Sequence, residues 1–487
     1  MIDFDDIFTS LLSAAFIGGP FAAALLLGLL LPVALVGASL LTRQLSPSAR
    51  MSWIFGLMIV GSVATVALSG RVLLSEAELA AHPFAGSAEE TTRSSTLASQ
   101  LTTALILLLA GAEIFNWVVR RSRFEGRTAR LWAAMMVYFL FSIVVSGAFG
   151  TFRNPRLNDL YVPFVLTAVA LLGSGCDTAM WGRVRWALLL PAVGSLIAAV
   201  VAPKLALAPD YYQSLIPGFS KRLWGLSSHA NALGIFAAAA LVLELSPMLR
   251  KRPNLLVALL QLTVLVLTQS KTAWIGTIIG VLLVRWFWVQ ESVFKGKKRE
   301  MAMVAAVVAC VALALIAIAI GVFSDSPRVI RLLDRIGAFT ATGRTAIWQV
   351  TIDEFNANPW TGYGPSLWDL YYRFQHGMMQ AGQAHNQFVQ ILGQAGLLGL
   401  LSMLFYLGTL LVYAMTHAAA SKGWALVLVL MLLVRCLSES PLRMSTIIGS
   451  DWIHFAAFAA VAGAVAVATK TQPKPLAMHA HLWRGSV

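Results

Sequence analysis

The sequence predicts an all-α polytopic membrane protein with about 12–13 transmembrane helices and one large loop on the outer side. Three observations predict it. Of 487 residues, 58% are hydrophobic and only 12% charged, where a soluble domain carries roughly 45–50% apolar and about 25% charged residues. Mean hydropathy is +0.75. The apolar residues also gather in runs that match the roughly 20 helical residues needed to cross a ~30 Å hydrocarbon layer. This composition excludes a soluble multidomain enzyme, a disordered tail and a disulfide-knit module.

Apolar runs place spans at 18–41, 53–74, 98–119, 131–149, 158–175, 186–203, 230–248, 254–269, 272–290, 301–323, 394–415, 423–440 and 452–469. The first run, from Ile7, is long enough to hold a hairpin at Gly18-Gly19-Pro20, and the two spans flanking Ser270 are short. The expected units are N-terminal helices over 1–203, central helices with outer-side basic residues over 204–323, a large loop over 324–393, C-terminal helices over 394–470 and a tail over 471–487.

Thirty-six Lys and Arg against 22 Asp and Glu give a formal charge of +14. Such a balance in a soluble chain points to nucleic acid. Here the bases cluster in loops, where they fix orientation, and no nucleic-acid partner is expected. One cluster holds Arg120, Arg121, Arg123, Arg127 and Arg130; a second holds Arg250, Lys251 and Arg252; a third holds Lys295, Lys297, Lys298 and Arg299. Alternation of the spans puts all three on one side, with Arg183, Arg185 and the tail. That side is expected to be cytoplasmic, its bases serving topology and headgroup contact. The acidic opening Met1-Ile2-Asp3-Phe4-Asp5-Asp6 is unlike a basic n-region, so no cleavable signal is expected. Cys176, Cys310 and Cys436 are too scattered for a disulfide framework or a zinc site.

Two outer segments, 204–228 and 324–383, then stand out. The second reads as short helices near 328–339, 345–356 and 365–376, with a turn at Asn358-Pro359-Trp360-Thr361-Gly362-Tyr363-Gly364. A structured loop of this length is usually functional. Outer-side cations concentrate there and nearby: Lys221, Arg222, Lys271 and Arg344. Arg153, Arg156, Lys204 and Arg443 also fall outside but read as surface charges. Several cations without matching acids suit a polyanion, and Arg forks match phosphate oxygens.

Among eight histidines, His385 ends the large loop and opens the next span, where an imidazole can serve as general base or as a structural group. His229, at a helix start, reads as a cap; His376 and His454 lack a supporting motif. Arg435 and Glu439 stand i,i+4 near the outer end of a span. They read either as a buried ion pair or as a pair in which Glu439 orients the base or the sugar. No P-loop, HExxH or GxSxG signature is present, and no metal or other cofactor is expected.

Five motifs follow in order: Arg222-x-x-Gly225-x-x-x-His229-x-Asn231, Ser270-Lys271-Thr272, Thr342-Gly343-Arg344-x-x-x-Trp348, Pro359 with Gly362-Tyr363-Gly364, and Ala384-His385-Asn386 with Gly396-Leu397-x-Gly399. Together, over about residues 205–445, they resemble the O-antigen ligase / Wzy-type polymerase superfamily, including ExoQ-like exopolysaccharide polymerases. The resemblance implies a GT-C-like, metal-independent glycosyltransferase in the bacterial inner membrane with its active site facing the periplasm. It implies an undecaprenyl-pyrophosphate-linked glycan donor and a glycan or lipid A–core acceptor. Membrane lipid and polysaccharide-export or chain-length proteins are the remaining partners expected. By match, Arg222 and Arg344 bind the pyrophosphate and His385 activates the acceptor. Glu439 falls where members carry an acidic residue, with Asn231, Gly343 and Asn386 in support. Lys271 stands where many members have Arg, so it supplies charge without a fork. Polymerase and ligase both remain open, as does a lipid-linked oligosaccharide flippase.

Overall fold

The computed structural model of the chain describes residues 32–74, 92–120, 126–153, 161–172, 176–209, 216, 220–249, 252–293, 344–379, 381–444, 446–449 and 451–470. Its helices are α1 (Pro32–Thr42), α2 (Pro47–Ala67), α3 (Arg93–Val119), α4 (Gly126–Phe149), α5 (Tyr161–Leu172), α6 (Thr178–Val201) and α7 (Ala230–Leu245). There follow α8 (Leu255–Thr268), α9 (Lys271–Val293), α10 (Arg344–Ala357), α11 (Leu370–Gln375), α12 (Gln387–Thr416), α13 (Trp424–Cys436) and α14 (Trp452–Lys470). Among the described residues the only sheet is a two-residue antiparallel pair, β1 (Leu207–Ala208) with β2 (Arg222–Leu223). The protein is an all-α polytopic membrane protein: α2, α3, α4, α6, α12 and α14 are each long and apolar enough to cross a membrane. The span expected at 301–323, the loop helix near 328–339 and Gly343 lie outside the described residues.

Sequence explains the helix ends. Ser46 accepts the Ala49 N–H, and Pro47 fills the first position of α2, where its missing donor costs nothing. Asn254 caps α8 through the Leu256 and Val257 N–H groups, and α8 stops at Gln269, whose φ of 51° is left-handed. Which helix lies inside follows from its girth of apolar residues. α7 is buried from Ala230 through Glu244 and α13 from Trp424 through Leu432, so both are interior helices. The alanines at 237–240 allow close backbone approach, which drives helix packing where water cannot. α7 packs on α8 and α9, α9 on α13, and α13 on α12 and α14. Outer helices instead turn Leu101, Val200, Leu256 and Ile278 outward, an apolar surface suited to lipid.

Two charge pairs are buried in this bundle, where desolvation favours pairing. Arg50 on α2 meets Glu113 on α3. Arg185, expected to serve topology and headgroup contact, also donates to Glu244 on α7 at 3.1 Å, a carboxylate whose side chain is only 2% exposed.

The large loop is joined to the bundle by a broken helix. At Gly396 (φ 61°, ψ −156°) α12 leaves helical geometry. The turn after α10 fills the gap: Tyr363 N–H donates to Gly393 O at 2.8 Å and Gly364 N–H to Gln394 O at 2.9 Å. In return, Leu397 N–H donates to Pro359 O at 2.8 Å. The same turn reaches the end of α4, where Thr151 and Phe152 N–H groups donate to Gly362 and Tyr363 carbonyls. Backbone approach this close leaves no room for a Cβ at Gly396, which would meet the Pro359 and Trp360 backbone. Beyond the turn, Leu367, Trp368 and Tyr372 form a small apolar core, and the Tyr372 hydroxyl donates to Glu354 at 2.9 Å.

His385 precedes the first residue of α12, and Glu439 follows the last of α13, so both stand at one end of the bundle. The far end of α12, ~45 Å away at 1.5 Å per residue, lies with Arg127, Arg130 and His417. Replacing Gly396 by Ala combines left-handed strain with a backbone collision, so Gly396→Ala is expected to destabilise by about 2 kcal/mol or more. A lowered unfolding temperature of the detergent-purified variant, with loop cleavage by protease, checks this.

Candidate active site

Glu439 is the junction of three chain segments. Its Oε1 accepts from Asn231 Nδ2 at 2.5 Å; its Oε2 accepts from Gln383 Nε2 at 2.5 Å and faces His385 Nδ1 at 3.1 Å. The carboxylate is 4% exposed. Burial works to raise its pKa, but the His385 hydrogen bond and the neighbouring positive charge, Arg435 included, prevail and hold it well below the usual carboxylate range. It therefore stays ionised, a fixed negative charge that three donors share. Gln383 completes the tie by accepting the Ser440 N–H at 2.8 Å.

Arg222 reaches the same junction from the other side. β2 sets Arg222 opposite Ala208. Its Nε donates to Thr268 O at 2.8 Å and its Nη2 to Asn231 Oδ1 at 2.6 Å. Asn231 thus bridges Arg222 to Glu439, spending its carbonyl on the cation and its amide on the anion. The segment behind Arg222 is braced by Arg71, whose guanidinium donates to the carbonyls of Leu205, Gly225 and Ser227 and lies over the Trp224 ring at 5.7 Å.

His385 is held on both flanks. Trp348 Nε1 donates to Ala384 O at 2.7 Å, and Ala384 N–H donates to Gln390 Oε1 at 2.9 Å. Asn386 Oδ1 accepts the Phe388 and Val389 N–H groups, and its Nδ2 donates to Leu437 O at 3.3 Å. Between them His385 has φ 51°, a left-handed conformation that a non-glycine residue keeps only when its surroundings fix it.

A cavity of about 480 Å³ opens above this network. Arg222, His229, Asn231, Arg344 and His385 line its polar side, and Ile347, Met378 and Met379 its apolar side. It offers two guanidinium groups and two imidazoles next to an apolar wall.

The predicted residues divide accordingly. Arg222, Asn231, Arg344 and His385 share the cavity, and Glu439 supports it from below. Lys271 is not among its lining residues but lies within electrostatic reach of Arg222 and Arg344. Asn386 caps α12; Gly343 lies outside the described residues. Of the two readings of Arg435 and Glu439, the ion pair does not form: Arg435 Nη1 turns to Asn231 O at 2.9 Å, because Asn231, Gln383 and His385 occupy the carboxylate. Arg443, expected at the surface, is half-buried and donates to Gly382 O at 2.6 Å, since the 440–444 turn folds back beneath the loop. His454 is packed inside the bundle, its Nε2 at 2.8 Å from the Tyr406 hydroxyl. Sequence reasoning passed over Gln383 and Arg71, neutral or isolated residues whose partners are distant in the chain, and gave His229 a capping role alone.

A family model described as O-antigen ligase matches residues 256–404. Over that stretch the chain is similar to the O-antigen ligase family. That likeness points to an enzyme of glycan transfer in polysaccharide biosynthesis. The matched stretch holds Lys271, Arg344 and His385; Arg222, Asn231 and Glu439 lie outside it and are brought to it by the fold. No curated protein matches the chain. Arg71→Met is expected to loosen the segment behind Arg222, since several charge-assisted bonds to carbonyls are lost at once. Faster tryptic cleavage at Lys221 and Arg222, with the helices intact by circular dichroism, checks it.

Proposed function

We propose that this cavity transfers a glycan from undecaprenyl pyrophosphate to a sugar hydroxyl at the periplasmic face, polymerising exopolysaccharide or O-antigen repeat units. The observation that carries the reading is the meeting of Arg222 and Arg344 with a carboxylate-backed His385 around one half-apolar cavity. The two Arg forks suit the pyrophosphate oxygens, with Lys271 adding charge from behind. Ile347, Met378 and Met379 suit the first isoprene units. The Arg127 and Arg130 cluster at the opposite end agrees with a periplasmic site.

Glu439 facing Nδ1 keeps a proton there and leaves the Nε2 lone pair of His385 as the base. In the transfer, the acceptor hydroxyl gives its proton to Nε2 and its oxygen forms the new bond to the anomeric carbon. The bond from that carbon to the pyrophosphate oxygen breaks, and its electron pair leaves with the phosphate, where Arg222 and Arg344 hold the charge. These residues form the reaction centre without a metal ligand set, so metal independence belongs to the proposal.

A second reading, ligation to lipid A–core, is favoured by the description of the matching family model. A flippase is disfavoured because the residues concerned stand at helix ends and in a loop, whereas transporters gather them near the midplane.

Purified protein given a lipid-linked repeat in EDTA is expected to form a glycan ladder. A product only with lipid A–core identifies a ligase, and no product with either, or activity only with added magnesium, overturns the reading. His385→Ala is expected to lower turnover about 10²-fold or more while leaving membrane insertion intact, the usual scale for a lost general base. Arg344→Lys is expected to lose at least about tenfold in kcat/KM, because a fork becomes a point charge; wild-type rates would exclude bidentate binding.

A further inference from the structure

Two imidazoles face one cavity, and each is engaged at Nδ1 by a partner of opposite character. His385 Nδ1 faces the Glu439 carboxylate, an acceptor, at 3.1 Å. His229 Nδ1 instead accepts the Asn231 backbone N–H at 3.1 Å, as the N-cap of α7. A neutral imidazole has one N–H donor and one lone-pair acceptor. Because Nδ1 of His229 must present its lone pair to an N–H, its proton has to sit on Nε2. Protonating Nδ1 would set two donors against each other, so the cap excludes the imidazolium as well. Trp224 packs against the ring, with centroids 4.3 Å apart, and supports it in this orientation. Burial, and next the Arg222 charge, push the His229 pKa down to about 3, in agreement with the geometry.

We infer that His229 is a fixed, neutral Nε2–H donor in the cavity, which donates to a diphosphate oxygen of the bound lipid-linked donor beside Arg222 and Arg344, while His385 carries the opposite tautomer. The inference rests on the reading of the cavity as a prenyl-diphosphate site. Its chemistry follows from position. A second basic imidazole next to Arg222 would compete for the acceptor proton, whereas a neutral donor adds a directional hydrogen bond to an oxyanion without a further charge to desolvate. His229 is therefore a substrate-positioning residue, and its capping bond is the device that sets its tautomer. Nothing in the matched family segment covers it, since that begins at residue 256.

Two measurements test this on the full-length protein in lipid nanodiscs. In the first, the nitrogen resonances of labelled histidine, assigned by difference from the His229→Ser variant, report tautomers. His229 is expected as the Nε2–H form, unchanged from pH 8 to about pH 5. An Nδ1–H form, or titration in that range, overturns the inference. In the second, geranyl pyrophosphate is titrated in magnesium-free buffer. Its addition is expected to shift the His229 Nε2–H resonance and to bind about tenfold or more weakly to His229→Ser, the scale of a lost hydrogen bond to a charged group. Serine keeps the helix cap, so equal affinity in wild type and His229→Ser would reduce His229 to a cap. His229→Asn, which caps and retains an amide donor, is expected to bind more tightly than the serine variant. Neither measurement needs turnover. An absent glycan product with diphosphate binding intact therefore counts against the transferase reading alone, whereas lost binding of geranyl pyrophosphate to the wild type removes both.

Discussion

The buried carboxylate of Glu439 is the constraint on which the site depends. An ionised group taken out of water must be matched by donors, and Glu439 collects three from two remote segments: Asn231 at the head of α7, and Gln383 and His385 at the foot of the loop. One electrostatic requirement thereby fixes Arg222, through Asn231, and aims His385. Breaking any strand of this network leaves a buried charge short of a partner, which is why function and local stability are joined here.

The second constraint is the break in α12. A continuous helix would satisfy its own backbone and have nothing to offer the loop. Because Gly396 interrupts it, freed carbonyl and N–H groups on either side recruit the Pro359–Gly364 turn in both directions. Unsatisfied buried backbone is costly, and Gly393 to Gly396 are buried, so the loop is docked by the groups the break exposes. Docking the turn places α10, and with it Arg344 and Trp348, over the end of the bundle. The left-handed backbone at His385 fits this scheme, since strain there is stabilised by Trp348 on one side and the Asn386 cap on the other.

Each imidazole in the cavity takes its character from what lies behind it. A carboxylate behind His385 leaves a lone pair facing the cavity, and a backbone N–H behind His229 leaves a proton there. Residue type alone does not separate these two cases. The partner does, and the partner is a property of the fold.

Composition and hydropathy runs by themselves determined a polytopic helical membrane protein, with α2 through α9 and α12 through α14 close to their expected positions, because burial in lipid demands apolar length that can be read along the chain. The motif order was legible too, and pointed to Arg222, Arg344 and His385, with Glu439 drawn from its spacing to Arg435 and from the resemblance. Which of these meet was not legible. Arg435 and Glu439 look like partners at i,i+4, yet Arg435 serves the Asn231 carbonyl, and half-buried Arg443 and Arg185 are engaged by the Gly382 carbonyl and by Glu244. Gln383 and Arg71 carry no signal in sequence because their partners are brought near only by packing. Hydrophobic length is a one-dimensional property and survives in the sequence; the pairing of buried polar groups is a three-dimensional one, decided by which helix ends come together.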